Sequence, residues 1–245
     1  MPEPLSFMDT VMGTTVSLAV AGVPPSLASV LADETFGFLH EIDAQFSTYR
    51  PDSEVRRYRG TAPSSRLQHV LDRCSTLWTL TGGYFDAYAG GALDPSGYVK
   101  GWAVQVASGR LLEAGAENHL LNAGGDLRVR GFSSAGEPWR VGVRHPFEAD
   151  QVCCVVAGSD LAVATSGVYE RGHHVLDPFT GVPAHGLRSV TVTGPDLGDA
   201  DAYATAAVAM GLAGLDWLAT LAGYQSAVVT DDGRFYCSAS FPSVP

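Results

Sequence analysis

The order in which two kinds of hydrophobic pattern follow one another constrains the fold of this chain most. In the first half, a strand is predicted over 12–21, and apolar residues at helical spacing then predict helices over 27–46, 64–80 and 100–114. From His119 onward, short apolar runs separated by turn residues predict strands instead. Because helices and strands come in blocks, the sequence predicts an α+β fold with a largely antiparallel sheet.

The second half predicts six strands, two further helices and a closing hairpin. The strand segments are HLLN, DLRVRG, WRVGVR, VCCVVAG, LAVATSG and SVTVTG. Helices are expected over 199–211 and 215–221, and SAVVT, DDG and RFYCSA together are typical of a β-hairpin. The stretch 51–65 is expected to be a long surface loop. We expect one domain over residues 1–245.

Composition and charge exclude several classes of protein. The chain is 46% hydrophobic and 17% charged, which is typical of a globular protein. Its net charge of −11 argues against nucleic-acid binding, and a phosphorylated ligand would need a metal ion or backbone amides to offset that charge. No run approaches the ~18 apolar residues of a membrane span, and no signal peptide is recognisable, so we expect a cytoplasmic protein without membrane insertion.

The four cysteines do not have the spacing of a zinc site. We expect Cys74, Cys153, Cys154 and Cys237 to be reduced thiols in the core, because unpaired cysteines are usually buried.

Asp201 and Thr205 form the first candidate site. They are four residues apart in a predicted helix, so both side chains lie on one face. A carboxylate and a hydroxyl are hard oxygen donors of the kind that magnesium prefers. The alternative is that Asp199 or Asp201 caps the helix and Thr205 is solvated.

The segment GHHVLDPFTG holds a second candidate site. Asp177-Pro178 followed by Thr-Gly predicts a turn, and His173 or His174 just before it is either a general base or a surface histidine.

Two glycine-rich segments are candidates for contact with a phosphate. AGGD at 123–126 permits close backbone approach to a ligand, or simply forms a tight turn or bulge. The segment 83–104 runs into a helix at Lys100-Gly101, where amides at a helix start would favour phosphate. Its aromatic residues either stack on a ring system or belong to the core.

Eight segments in this order resemble the FAD:protein FMN transferases, the ApbE-type flavin transferases. They are MGTTVSL (12–18), DAQFSTYRPDSEV (43–55), FDAYAGG (85–91), LDPSGYVKGWAV (93–104), NAGGDLRVRG (122–131), WRVGVRHP (139–146), VATSGVYERGHHVLDPFTGVPA (163–184) and SVTVTGPDLGDADAYATAAVAMG (189–211). No single segment is decisive, but eight in register over nearly the whole chain are very specific.

The resemblance implies a flavin-transferase domain of the T-fold-like type, with FAD in a cleft between two lobes. It implies a magnesium ion held by the side chains of Asp201 and Thr205 and by the backbone carbonyl of Val99. It also implies a part in catalysis for His174 and Asp201. The positions matched to FAD contacts are Met12, Tyr49, Tyr84, Phe85, Asp86, Ser96, Trp102 and Leu176.

The chain departs from the family pattern at three places. Ala204 stands where some members have a second carboxylate, so the metal shell would depend more on Asp201, carbonyls and water. The stretch between Asp86 and Asp94 is short for the family. No signal or lipid-attachment cysteine lies near the start, which implies cytoplasmic acceptor proteins.

The implied reaction cleaves the FAD pyrophosphate, attaches FMN to a Thr or Ser hydroxyl of an acceptor protein and releases AMP. Two alternatives stay open at this point: a magnesium-dependent FAD pyrophosphatase that releases FMN and AMP, and an FAD-binding protein without chemistry. Mass analysis distinguishes the three, because only the transferase adds an FMN mass to an acceptor.

Overall fold

The computed structural model describes residues 3–134, 136–148, 150–167 and 175–244. In chain order, the elements are β1 (Leu5–Val11), β2 (Thr14–Ala21), α1 (Pro25–Phe46), α2 (Glu54–Arg57), α3 (Ser65–Leu80), α4 (Ser96–Glu113), β3 (Asn118–Ala123), β4 (Asp126–Arg130), β5 (Phe132–Ser134), β6 (Glu137–Arg144), β7 (Val152–Gly158), β8 (Asp160–Gly167), β9 (Leu187–Gly194), α5 (Leu197–Met210), α6 (Ala213–Leu218), β10 (Gln225–Thr230), β11 (Phe235–Cys237) and β12 (Ser243–Val244).

The strands form two antiparallel sheets. The larger sheet has eight strands in the order β1-β2-β3-β4-β8-β9-β10-β11, and the smaller has four in the order β12-β7-β6-β5. Three pairs of neighbours in the larger sheet are hairpins with short connections, namely β1–β2, β3–β4 and β10–β11, whereas helices lie between β2 and β3 and between β9 and β10 in the chain. This arrangement of helices and antiparallel sheets confirms the predicted α+β class.

The larger sheet is covered on both faces, and β4 shows how its sequence meets that requirement. Leu127 and Val129 belong to a small core with Trp139, Val143 and Val156 of the second sheet. Asp126 and Arg128 alternate with them and are also buried, on the face where α4 packs. Charged side chains are therefore buried beneath the helices, and this is where the site forms.

The main core fills the space between the larger sheet and the helices. Helix α5 packs on β8 and β9, while α4 packs on β3 and β4 and against α5. The cap of α5 is Asp196, whose side chain accepts a hydrogen bond from the Asp199 N–H at 2.9 Å. The capping role considered for Asp199 or Asp201 is therefore wrong.

Several element boundaries differ from the prediction. The strand expected over 12–21 is the second half of a hairpin, because Met12 and Gly13 have positive φ angles and form the turn between β1 and β2. Helix α4 begins at Ser96 rather than near Lys100, and the Asp94 carboxylate accepts the Ser96 N–H at 3.0 Å. The predicted loop 51–65 contains the short helix α2.

The prediction of four core cysteines is right for one of them. Cys74 is buried, and burial raises the pKa of its thiol to about 12. Cys153 and Cys154 are half-buried and Cys237 is exposed, while all four are free thiols.

No helix in the described parts of the chain has the length and apolar character that a bilayer span requires.

His119 makes folding sensitive to pH. It is fully buried on β3, where one ring nitrogen (Nδ1) lies 2.7 Å from the Ala116 carbonyl and the other (Nε2) lies 2.7 Å from the Ser108 hydroxyl. Burial lowers the pKa of the imidazole from 6.5 to about 4. Between these pH values the unfolded chain binds a proton that the folded chain excludes, so the free energy of unfolding falls as pH falls.

We predict that this histidine removes roughly 3 kcal/mol from the free energy of unfolding between pH 6.5 and pH 4. His119→Gln should lower stability at neutral pH but flatten this loss, as measured by urea unfolding at a series of pH values. His69→Gln, at an exposed position, should keep the wild-type slope. Equal slopes in all three proteins would show that His119 does not carry the effect.

Candidate functional site

Two adjoining cavities lie beside the first turns of α4. The first has a volume of about 610 Å³ and lies among the β3–β4 turn, β6, the end of β8 and α5. The second, of about 440 Å³, lies between the β1–β2 turn and the C-terminal end of α1. Gly13, Ser96 and Lys100 line both cavities, so the two meet at α4.

Two glycines let α4 and α5 approach closely. A Cβ atom on Gly101 would lie 2.5 Å from the Leu197 carbonyl oxygen and 2.8 Å from the Asp201 Cβ atom. A Cβ atom on Gly198 would lie 2.7 Å from the Tyr98 ring. Because the two helices are so close, the Gly101 N–H donates a hydrogen bond to Asp201 Oδ2 at 3.0 Å. This bond orients the Asp201 carboxylate, which is almost fully buried.

A second buried carboxylate lies on the neighbouring strand. Asp126 is fully buried, and its Oδ1 accepts the Thr165 N–H at 3.1 Å. The Lys100 ammonium contacts Oδ2 of Asp126 and lies 3.7 Å from Oδ2 of Asp201. One ammonium is thus placed between two carboxylates, and these three groups together carry one negative charge.

Neutral oxygen donors line the first cavity together with Asp201. The Thr205 and Ser166 hydroxyl oxygens are 3.1 Å apart, and both line the first cavity. Carboxylates and hydroxyls with an excess negative charge fit a hard divalent cation such as magnesium. Within the described residues, no three His, Cys, Asp or Glu side chains cluster to hold a metal. A magnesium ion here would therefore depend on Asp201, neutral oxygens and phosphate oxygens of a ligand.

Two tight turns contribute to the walls of the cavities. Met12 and Gly13 have φ angles of 55° and 70°, and Gly124 and Gly125 have 60° and 97°, as two-residue hairpin turns often require. The turns touch, because a Cβ atom on Gly124 would lie 2.4 Å from the Thr14 hydroxyl oxygen. Met12 adopts the left-handed region without being glycine, which costs about 1 kcal/mol and fixes its position at the cavity.

The structure brings together six of the residues singled out from the sequence. The second cavity is lined by Met12, Tyr49, Ser96 and Val99, and the first by Ser96, Asp201 and Thr205. Tyr49 is 90% exposed, so its ring is available at the mouth of the second cavity.

The other residues matched to FAD contacts lie outside the described linings of both cavities: Tyr84, Phe85, Asp86, Trp102 and Leu176. The Trp102 ring packs edge-on against Phe46, with ring centroids 5.8 Å apart. The Tyr84 ring packs in the same way against Phe179, at 4.9 Å.

Phe85 lies behind the first cavity, whereas Asp86 and Leu176 belong to a turn and to an isolated bridge. Phe85 is buried behind Gly97, where an added Cβ atom would lie 3.3 Å from both Phe85 and Thr205. Asp86 accepts the Tyr88 N–H at 2.7 Å, and Leu176 forms an isolated bridge with Pro183.

His173 and His174 lie outside the described residues. The turn predicted after them is present, since Asp177 Oδ1 accepts the Phe179 N–H at 2.9 Å. The preceding strand, β8, ends at Gly167, which lines the first cavity.

Sequence reasoning missed Lys100, Asp126 and Ser166 as site residues. The amides expected to face a ligand at Lys100-Gly101 are inside α4, and the Gly101 N–H is bound to Asp201. The AGGD segment forms the tight turn of the alternative interpretation, and its two glycines line the first cavity. The only signal for Asp126 was its place directly after two glycines.

Comparisons with known proteins place the chain among relatives of one family. A model of the ApbE family matches residues 12–92 and 87–228. The FAD:protein FMN transferase of Vibrio cholerae serotype O1 is 29% identical over 303 aligned residues, which cover 94% of this chain and 89% of that protein.

Two solved structures share the fold over nearly their full length. The flavin transferase ApbE from Vibrio cholerae is 28% identical with a TM-score of 0.85, and the match covers 99% of each chain. The ApbE protein from Thermotoga maritima has a TM-score of 0.88 at 24% identity, covering 97% of this chain and 98% of that one.

Gly101→Ala is predicted to disrupt the packing that forms the site. The added methyl group must displace Leu197 and Asp201, so the free energy of unfolding should fall by about 1–3 kcal/mol despite the better helix propensity of alanine. Gly109→Ala, in the same helix with open space at its Cβ position, should instead raise stability by about 0.5–1 kcal/mol. Thermal unfolding of the two variants compares them, and equal effects would contradict close packing at Gly101.

Proposed function

Because the chain belongs to the ApbE family, we propose that it is a magnesium-dependent FAD:protein FMN transferase. The observation that carries the proposal is the junction of the two cavities. Beside this junction, in the first cavity, the buried Asp201 carboxylate lies on the same face of α5 as the Thr205 hydroxyl. The carboxylate is 3.7 Å from the ammonium of Lys100, which lines both cavities. FAD is elongated, with its diphosphate in the middle, and two cavities that meet at this point suit such a substrate.

In the proposed reaction, a Thr or Ser hydroxyl of an acceptor protein attacks the phosphorus of the FMN half. The new P–O bond forms as the bond to the AMP phosphate breaks, and AMP leaves with the electron pair. The hydroxyl proton passes to a base, for which we propose His174. Bound magnesium would neutralise charge on the diphosphate.

The metal ligands in this proposal are Asp201, Thr205 and the Val99 carbonyl. Two contacts support it: the Gly101 N–H fixes the Asp201 carboxylate, and the Ser166 hydroxyl orients that of Thr205. Such outer hydrogen bonds tune a metal site by holding its ligands in place.

FAD contacts are proposed on both sides of this centre. Met12, Tyr49 and Ser96 line the second cavity, where the exposed Tyr49 ring suits stacking on a planar ring of the substrate. For Tyr84, Phe85, Asp86, Trp102 and Leu176 the proposal rests on the family resemblance. A cytoplasmic location, and therefore a cytoplasmic acceptor, also remains a prediction.

The direct test is incubation of the protein with FAD, magnesium and a candidate acceptor, followed by mass analysis. Transfer adds one FMN mass to the acceptor and releases an equal amount of AMP. FMN and AMP without modified acceptor would indicate a pyrophosphatase, and intact FAD would indicate a binding protein without chemistry.

Asp201→Asn is predicted to reduce AMP release by more than about 100-fold, since even outer partners of a metal site contribute 10–100-fold. The substitution keeps the shape of the side chain and removes only its charge. The magnesium concentration for half-maximal activity should rise in parallel.

The control for this experiment is Asp216→Asn, which removes a carboxylate from an exposed position on α6. It should behave as wild type. Normal turnover in Asp201→Asn, with circular dichroism unchanged, would place the metal site elsewhere.

His174→Ala is predicted to slow single-turnover transfer by about 10²–10⁴-fold, the usual contribution of a positioned general base. FAD affinity should change little, because the base acts on the acceptor hydroxyl. The low-pH limb of the rate profile should disappear in this variant only. His173→Ala is the matched control, and a large defect there would reverse the assignment of the pair.

A further inference from the structure

Helix α5, which carries both proposed side-chain ligands of the metal, has a smooth surface. Six of its fourteen residues are alanine, in the sequence LGDADAYATAAVAM. Helices lock against their neighbours through ridges of side chains, and a single methyl group forms only a shallow ridge. Packing alone therefore resists rotation of α5 about its axis only weakly, although the Asp201 and Thr205 side chains must keep one orientation to bind a cation.

Two polar contacts hold the first turns of α5 from opposite sides. On one side, the Gly101 N–H of α4 donates to the Asp201 carboxylate at 3.0 Å. On the other side, the Arg73 guanidinium of α3 binds the Asp199 carboxylate through two bonds: Nε donates to Oδ1 at 2.9 Å, and Nη2 donates to Oδ2. Because Asp199 and Asp201 are about 200° apart around the helix axis, the two contacts together oppose rotation in both directions.

Arg73 is well placed to fix the position of Asp199. Its helix, α3, buries four side chains in the main core, so the guanidinium extends from a firm support. A planar guanidinium that holds both oxygens of one carboxylate sets the direction of that carboxylate as well as its distance. Asp199 is also held at its backbone, since its N–H donates to the Asp196 side chain at 2.9 Å.

Stability of the fold does not by itself account for this ion pair. The Arg73 and Asp199 side chains are both mostly buried. In such a pair the cost of removing two charges from water offsets most of their attraction, so the net gain in stability is small. A bidentate pair does fix geometry, however, and hydrogen bonds just outside a metal site commonly change metal affinity or activity about 10- to 100-fold.

We propose that Arg73 is a positioning residue for the metal site: by holding Asp199, it keeps the Asp201 carboxylate turned toward the first cavity. The inference rests on the proposed function, since it assumes a cation bound by Asp201 and Thr205. Arg73 lies outside the described linings of both cavities, so it acts through Asp199 rather than on the cation or the substrate.

The test measures binding of Mn²⁺, whose free ion gives a paramagnetic resonance signal and which takes the same oxygen ligands as magnesium. Wild type, Arg73→Gln, Arg73→Lys and Arg66→Gln are titrated with Mn²⁺ in the presence of saturating FAD and without acceptor protein. Chromatography verifies that FAD stays intact, and urea unfolding measures the stability of each protein. Arg66 is the matched control, because it lies on the same helix and pairs with a carboxylate, Glu41, on α1.

Arg73→Gln should bind Mn²⁺ about 10- to 100-fold more weakly than wild type. The sign of this effect separates positioning from electrostatics, because removal of a positive charge near a cation would by itself strengthen binding. Arg73→Lys keeps the charge but not the planar fork, so it should bind Mn²⁺ about 3- to 10-fold more weakly. Arg66→Gln should keep the wild-type affinity.

Unchanged or tighter Mn²⁺ binding in Arg73→Gln, with a lower free energy of unfolding, would overturn the proposal, because the ion pair would then serve only the fold. An equal loss of affinity in Arg66→Gln would also contradict it. Arg73→Lys decides the matter if Arg73→Gln does not fold: wild-type affinity there would show that a positive charge alone suffices. A wild-type protein that binds no Mn²⁺ in the presence of FAD would instead refute the proposed function.

Discussion

The close crossing of α4 and α5 is the contact on which the rest of the site depends. It requires glycine at Gly101, because any side chain there would occupy the space of the Leu197 carbonyl and Asp201. The crossing aligns the first turns of α4 with the first turns of α5. As a result, Lys100 and the Gly101 N–H reach Asp201, and the same face of α4 packs on β4, which supplies Asp126.

The carboxylates at the start of α5 are close in sequence but have separate roles. Asp196 caps the helix, and burial raises the pKa of its carboxyl. Asp199 points the other way and pairs with the Arg73 guanidinium on α3, with a nitrogen–oxygen distance of 2.9 Å. Asp201 faces the first cavity. Asp196 precedes the helix as its cap, whereas Asp199 and Asp201 lie within it. Because these two are two positions apart in the sequence, about 200° around the helix axis, they lie on opposite faces.

The sequence predicted the helices and the class of fold well, because long amphipathic segments carry a strong periodic signal. It was wrong about the β1–β2 hairpin for a local reason. Met12-Gly13 is not one of the residue pairs that are typical of a two-residue turn, so the sequence places Met12 in a strand. In the structure its φ angle is 55°, which belongs to a turn. Likewise, α4 was expected to start late, because glycine at position 97 is a poor helix former. Thr205 and Phe85 would each lie 3.3 Å from a Cβ atom at position 97, so a larger residue there would be a tight fit.

Asp201 and Thr205 could be predicted as a pair because both lie on one helix, where spacing alone fixes their relative position. Lys100 and Asp126 could not, because their contact depends on the tertiary fold. The Gly124-Gly125 turn sets where β4 begins, and the packing of α4 on that strand then determines which α4 side chain meets Asp126. No signal in the local sequence around Lys100 or Asp126 predicts that contact. A buried lysine between two buried aspartates is also costly to maintain unless further ligands complete its charge balance. Stability of the fold alone therefore does not explain why these three charged groups are kept together.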